Sequence, residues 1–496
     1  MAGGLTWTLT AMVGTRLLTL AGLAVLARLL APGDFGVLAF ALAYITYLTA
    51  VGDLGTTMAL IYWPSRRADA AQLTFLISVA ASWMWLAGTA WLAPAIAAFF
   101  GNPSGASVLI GIAWCVPIQA LGSTHDALCR KSLRFKAWFV PEMGLAAAKA
   151  AISIALALAG FGVWSLVWGH LAGHLFRTIL LWSIVPWRPS LTIPWDLVKP
   201  MFAYGRSIVV LNVLAVVVHH SDLLIVARLL GVTALGFYQM AAKIPEMTIT
   251  VLVRAVSSVL FPALARLHAQ GRDGAQTYLA TLEGVGLVTV PAMVGLILMA
   301  EPLVLILFGQ QWAASIPIVQ ALTAVACFRA LGTNAGDLLK AAGRPGTLVV
   351  LASIKAAVLI PALVLAADGG MLTVALAMAA VAGATTVLDI AVSCLLTQTP
   401  GRSVLASLTP GIAAGTTVAA GLTLANIALP AVAAPVKLAV DLVVAFVAWA
   451  GAVRLVRPAL YAGAFLFVHR MRTRTDDETG ASRETRPCLA TNDLGT

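Results

Sequence analysis

Charge is what this chain has little of. Only 10% of its 496 residues are Asp, Glu, Lys or Arg and 60% are hydrophobic, against about 25% and about 45–50% in globular proteins. That scarcity excludes a soluble domain, which could not clothe its surface from so few polar side chains. Cysteine is scarce as well: Cys115, Cys129, Cys327, Cys394 and Cys488 share no pair spacing. This argues against a metal site or a disulfide framework and leaves them as packing residues. No G-x-x-x-x-G-K-[ST] phosphate loop is present, so nucleotide hydrolysis by that route is excluded. The N-terminus has neither a basic flank nor a small-residue cleavage site, and the first apolar stretch reads as a retained span.

What is there is apolar length. A helix needs roughly 20 residues to cross a hydrocarbon core of about 30 Å. Fourteen such runs occur, near 7–30, 36–62, 71–100, 106–128, 138–160, 162–186, 203–230, 234–261, 278–308, 315–339, 346–367, 370–396, 404–429 and 433–456. Lys and Arg alternate between the connections. The even ones hold Arg66 and Arg67, then Arg130, Lys131, Arg134 and Lys136, then Arg188 and Lys199, Arg266 and Arg272, Lys340 and Arg344, and Arg402. The odd ones are short and nearly free of cations, with Asp34 and Asp368 as their acids. By the positive-inside rule the even connections and both termini are cytoplasmic, as expected for a protein of the plasma (inner) membrane. The net charge of +11 then reflects topology and anionic lipid, and no nucleic acid is expected as a partner. Residues 475–496 are polar, mixed in charge and Thr-rich, and read as a disordered cytosolic end.

The pattern also repeats. Ala27-Arg28-Leu29-Leu30 with Gly36 returns as Ala227-Arg228-Leu229-Leu230 with Gly236, Phe100-Gly101 as Phe308-Gly309, and Ala120-Leu121-Gly122 as Ala330-Leu331-Gly332. Collinear matches with slowly growing offset are the mark of a duplicated unit. The expected architecture is all-α and integral to the membrane, with about 14 transmembrane helices. Residues 1–190 and 191–400 form two six-helix lobes in a parallel pseudo-repeat around a central cavity. Residues 401–458 add two helices and 459–496 a basic interfacial segment and tail. Membrane-embedded repeats of this kind build transporters with the substrate site between them. Without a phosphate loop, the driving energy comes from ion or substrate gradients.

Particular segments carry a family resemblance. Arg28-Leu29-Leu30-Ala31-Pro32-Gly33-Asp34-Phe35-Gly36, Gly52-Asp53-Leu54-Gly55, Arg130-Lys131-Ser132-Leu133-Arg134-Phe135-Lys136 and Gly160-Phe161-Gly162-Val163-Trp164 resemble the polysaccharide transporter family in its lipopolysaccharide and colanic-acid exporter branch. Leu235-Gly236-Phe237-Tyr238-Gln239-Met240-Ala241-Ala242-Lys243-Ile244, Phe261-Pro262-Ala263-Leu264 and Phe308-Gly309-Gln310-Gln311-Trp312 continue it. The family belongs to the multidrug, oligosaccharidyl-lipid and polysaccharide exporter superfamily. The resemblance implies flipping of a polyprenyl-diphosphate-linked glycan between leaflets, with no cofactor and with glycosyltransferases or a polymerase of the same pathway as neighbours. Two other readings stand beside it: a cation-coupled multidrug exporter of the same superfamily, and an integral-membrane glycosyltransferase. The short outward loops and the absence of a carboxylate pair in 187–201 leave the latter little room for catalysis.

Ionised side chains inside the apolar runs mark the cavity, because each costs about 2.5–3.5 kcal/mol to insert at the bilayer centre. Arg16, Arg206, Asn212 and Arg254 are the candidate diphosphate contacts, the arginine fork suiting phosphate oxygens. For Arg16 and Arg206 the alternative is snorkelling to headgroups. Asp53, His219, Asp222, Lys243 and Glu246 are the candidate coupling or gate residues, with Asp53 facing Arg254 and Asp222 at the depth of Lys243. His220 lines the cavity or the core. His170, His174 and Arg177 share one helix face, as a polar seam or a metal site, and no metal is expected. Residues 130–138 read as an amphipathic segment on the inner leaflet. Pro291, Pro317 and Pro361 are expected to bend their helices. The charge alternation makes a direct prediction: in intact cells a cysteine placed within 101–105 reacts with an impermeant maleimide and one placed near Arg134 does not. Reverse labelling overturns the orientation.

Overall fold

The computed structural model of the chain describes residues 2–52, 54–62, 67–132, 135–190, 192–250, 275–341, 345–428 and 434–456. Asp53, Arg254, Arg134 and the tail from 457 lie outside the described residues. The first half contains α1 (Ala2–Leu29), α2 (Pro32–Gly52), α3 (Thr56–Tyr62), α4 (Arg67–Phe99), α5 (Gly105–Ala113), α6 (Cys115–Lys131), α7 (Phe135–Leu158) and α8 (Val163–Ile184). The second contains α9 (Trp195–Leu229), α10 (Val232–Pro245) running into a π-helical turn (Glu246–Thr250), α11 (Ala275–Leu298), α12 (Ala300–Leu307), α13 (Ile316–Ala341), α14 (Pro345–Ala366) and α15 (Met371–Thr397). Finally α16 (Gly401–Ala428) packs on α11, where a side chain at Gly411 would stand 2.5 Å from the Gly286 carbonyl, and α17 (Ala434–Val456) ties Trp449 Nε1 to Leu287 O at 3.0 Å.

No strand occurs among the described residues, and a helix stands at each of the fourteen apolar runs. Among the described residues, eleven candidate spans are long and apolar enough to cross a membrane. Two local expectations need correction. The second run is broken: α2 ends at Gly52, Leu54 and Gly55 take positive φ (52° and 76°), and α3 begins at Thr56. Gly55 there lies against Gly205, whose carbonyl would sit 2.5 Å from any Cβ at position 55. Pro317 does not interrupt a helix, because α13 starts at Ile316 and the first turn has no intrahelical N–H bond to lose. Pro291 and Pro361 do lie inside α11 and α14.

The internal repeat is visible as contacts made twice. Thr178 Oγ1 donates to Ile118 O at 2.9 Å beside Gly122, and Thr386 Oγ1 donates to Phe328 O at 2.8 Å beside Gly332. The repeat partners also meet each other. A Cβ on Gly36 would lie 1.7 Å from Val232 O, and one on Gly236 would lie 2.0 Å from Pro32 O, so α2 and α10 cross backbone to backbone. Arg28 reaches across to Ile306 O at 2.5 Å, and Arg228 stands over the Phe99 ring at 4.8 Å. Each arginine therefore contacts the hairpin end of the other half.

Trp312, fully buried, completes this end of the bundle. Its Nε1 donates to Ala27 O at 2.8 Å, the amide of Gln311 donates to the same carbonyl, and its ring meets Phe35, Phe237 and Phe308 edge-on. The end carrying the short, cation-poor connections is thus shut. If the glycine crossing is what closes it, Gly236→Ala holds it open, since the new methyl clashes with a backbone oxygen that cannot turn aside. In an Ala39→Cys background, labelling by an impermeant reagent added on the side of that end is expected to rise at least several-fold with Gly236→Ala. Unchanged labelling would show that the contact is not a closure.

Candidate functional site

A cavity of about 790 Å³ lies behind this closure, walled by α1, α2, α6, α7, α8, α10 and the π-helical turn. Its polar lining is Thr15, Arg16 and Thr19 from α1, Arg130 from α6, Glu142 and Lys149 from α7, His170 from α8, Gln239 and Lys243 from α10, and Glu246 from the π-helical turn. The rest of the lining is largely apolar, including Leu23, Leu26, Leu38, Phe139 and Met240. Gly22 lets two of the wall helices close on each other: a Cβ there would come within 2.9 Å of the Ala150 methyl, so α1 and α7 pack tightly at that point.

The carboxylates in this wall are already paired. Glu142 accepts from Arg177 at 2.8 Å, and Arg177 also holds Asp126 at 2.9 Å, which in turn pairs with Arg130 at 2.8 Å. Glu246 takes Lys243 at 2.8 Å. Arg16 and Lys149 have no ion-pair partner among the described residues. Lys149 Nζ instead lies 2.7 Å from His170 Nε2, while His170 Nδ1 faces Leu166 O at 2.9 Å. The cavity therefore has a surplus of positive charge.

Of the expected site residues, the structure brings Arg16, Lys243 and Glu246 together in this cavity. Arg206 and Asn212 are exposed and do not line it, and His219 is exposed on α9. Asp53 and Arg254 fall outside the described residues. The Asp222–Lys243 pair does not form. Buried Asp222 accepts from Tyr238 Oη at 2.9 Å, with Arg329 of α13 as its opposing charge, whereas Lys243 turns to Glu246. The pairing is lost because α10 packs chiefly on α2 through the paired glycines and crosses α9 less closely. The helix face of His170 and Arg177 is a polar seam binding α8 to α6 and α7, its partners being an ammonium and two carboxylates.

The sequence reading does not single out Glu142 or Lys149. A lone lysine inside the apolar run 138–160 is nevertheless the same signal that marks Arg16. Lys355 and Asp389 stand out in the sequence as charges inside apolar runs, and the structure pairs them (2.5 Å), joining α14 to α15.

Residues 25–317 match the family model described as "Polysaccharide biosynthesis protein". The chain belongs to the polysaccharide biosynthesis protein family. It is similar to the succinoglycan biosynthesis transport protein ExoT of Rhizobium meliloti, 26% identical over 313 residues, which is 63% of this chain and 63% of the relative's length. It is also similar to the lipopolysaccharide biosynthesis protein WzxC of Escherichia coli, 25% identical over 377 residues, covering 73% and 74%. The lipid II flippase MurJ in an inward closed conformation superposes with a TM-score of 0.70 at 14% identity, covering 91% of this chain and 100% of that one. An inward-facing multidrug resistance transporter of the MATE family gives 0.52 at 16% identity, covering 78% and 94%. These structures share the fold, two helical lobes about a central cavity.

In this family member the Asp126–Arg177–Glu142 bridge joins three helices that wall the cavity. Asp126 keeps Arg130 when Arg177 is removed, so the loss strands chiefly Glu142, which is half-buried, and costs less than the about 3–5 kcal/mol of breaking a fully buried pair. Arg177→Met is expected to lower the folded yield and the unfolding temperature in detergent, whereas Arg177→Lys recovers part of both. Unfolding at the wild-type temperature in Arg177→Met would show the bridge to be structurally idle.

Proposed function

We propose that the chain moves a polyprenyl-diphosphate-linked oligosaccharide from the cytoplasmic to the outer leaflet of the plasma (inner) membrane. The two lobes, 1–190 and 191–400, alternate access to the cavity, with both termini in the cytoplasm. The observation that carries this reading is the surplus of cations in a closed-ended cavity, with Arg16 and Lys149 lacking a carboxylate partner. A buried cation without a counter-charge is costly, and an anionic ligand offsets that cost. A volume of about 790 Å³ suits a diphosphate with a few sugars, while the polyprenyl tail stays in lipid.

Transport without covalent chemistry fits a wall whose carboxylates are occupied by arginine and lysine. The names of the curated relatives point to envelope polysaccharide and those of the solved structures to flipping or export. Export of cationic drugs is disfavoured by the sign of the cavity, since like charge repels the ligand. Arg16 is assigned to the diphosphate. Arg206, being exposed, is assigned to lipid headgroups, and Asp53 with Arg254 remains the proposed gate pair. Glycosyltransferases or a polymerase of the same pathway are the proposed neighbours.

Deleting the gene is expected to accumulate lipid-linked oligosaccharide in the cytoplasmic leaflet, read by mass spectrometry of extracted lipids. Arg16→Ala, at normal protein level, is expected to slow surface glycan export about tenfold, equivalent to about 1.4 kcal/mol. Arg206→Ala is expected to stay within about twofold. Resistance to cationic compounds falling on deletion, with no accumulated glycolipid, would reverse the choice between the two transporter readings.

A further inference from the structure

The Lys149–His170 contact has a chemical consequence that the transport reading does not use. His170 Nδ1 lies 2.9 Å from the carbonyl of Leu166, one turn earlier on α8. A carbonyl only accepts, so Nδ1 carries the proton. Nε2 then presents its lone pair, and the Lys149 ammonium donates to it at 2.7 Å. Both groups line the cavity. A second proton on Nε2 would set two N–H cations head to head at that distance, so as long as Lys149 is docked His170 stays neutral.

The surroundings reinforce this. From α10, Lys243 acts on both groups, and from α8 itself His174 acts on His170. Facing from α7, Glu142 is bound to Arg177, and Asp126 of α6 is shared between Arg130 and Arg177. Cys115 of α6 lies near Lys149, Arg16 of α1 lines the same cavity, and Glu246 is held by Lys243. Helix α5 carries no titratable side chain, and α2 carries only Asp34, Tyr44 and Tyr47. No carboxylate among these is free to neutralise a doubly protonated pair. An anion entering the cavity would supply that neutralisation.

We propose that Lys149 and His170 are a proton-linked phosphate site: a phosphate-bearing ligand draws the Lys149 ammonium off His170 Nε2, and that nitrogen then takes one proton from solvent. The balance is simple. Lys149 exchanges one hydrogen-bond acceptor for a phosphate oxygen, one N–H bond forms at Nε2, and the cavity gains one positive charge alongside the incoming negative charge. By linkage, ligand binding raises proton affinity and protons raise ligand affinity by the same factor. This rests on the diphosphate reading of the cavity and adds a proton stoichiometry to it.

The test uses the full-length protein in nanodiscs with farnesyl diphosphate as probe. Isothermal titration is run near pH 7 in buffers of different ionisation enthalpy, which counts protons exchanged on binding. The wild type is expected to take up between about half a proton and one proton per diphosphate. Affinity is expected to weaken by up to tenfold per pH unit above the titration of His170. His170→Gln, which can accept from Lys149 but cannot be protonated, is expected to lose the uptake and the steep pH dependence. His170→Asn serves as a second variant should the first unfold in a melting control. Lys149→Gln is expected to weaken binding and reduce the uptake, because no ammonium docked on Nε2 then opposes protonation of the ring before the ligand arrives. Diphosphate binding in the wild type without proton uptake, or with equal uptake in His170→Gln and His170→Asn, overturns the linkage and leaves the transport reading standing. No diphosphate binding in the wild type overturns both.

Discussion

The structure depends on one close approach, the crossing of α2 and α10 at Gly36 and Gly236. A Cβ at either position would collide with a backbone oxygen of the other helix. Only glycine on both sides therefore lets the two repeats touch at this end, and a sequence that duplicated the unit supplied the same residue twice. Around that point the reciprocal reaches of Arg28 and Arg228 and the Trp312 bond to Ala27 O turn a contact between two helices into a seal between two lobes. The Trp312 bond is buried, so leaving it unmade would strand a polar group, whereas Arg28 and Arg228 make their reaches from exposed positions.

The cavity's chemistry follows from where the carboxylates are spent. Asp126, Glu142 and Glu246 are each taken by a neighbouring cation, and Asp222 and Asp389 are held by Tyr238 and Lys355 in the second half. Arg16 and Lys149 are left facing the space. Positive charge that is preorganised costs nothing further when an anion arrives, and apolar walls from Leu23, Leu38 and Phe139 keep the local dielectric low enough for that charge to count.

Much of this was legible in the sequence because membranes impose simple rules. Composition and run length located a helix at every apolar segment, and the Ala-Arg-Leu-Leu…Gly match identified the two glycines that meet. Arg16, Lys243 and Glu246 were visible as charges in apolar runs and share the cavity. What was not legible depended on helix rotation and crossing. Asp222 and Lys243 sit at comparable distances from one hairpin, yet the rotation of α10 toward α2 gives Asp222 to Tyr238 and Lys243 to Glu246. Lys149 carried a signal as a charge in an apolar run, but its pairing was hidden because His170 lies on the next helix and no local spacing announces the contact. The break seen at Leu54 and Gly55 was masked by apolar residues on both sides, with only the Gly52-Asp53-Leu54-Gly55 run to betray it.

The central claim, that the positive cavity carries a diphosphate-linked glycan across the bilayer, is tested most directly by reconstitution. Purified protein is placed in liposomes with a fluorescent polyprenyl-diphosphate oligosaccharide in both leaflets, and an impermeant quencher is added outside. The account predicts that the wild type lets the quencher reach essentially all of the label and that Arg16→Ala combined with Lys149→Gln slows the second half of that loss to near the protein-free rate. Equal rates for wild type and the double variant, or no acceleration over protein-free liposomes, would contradict it.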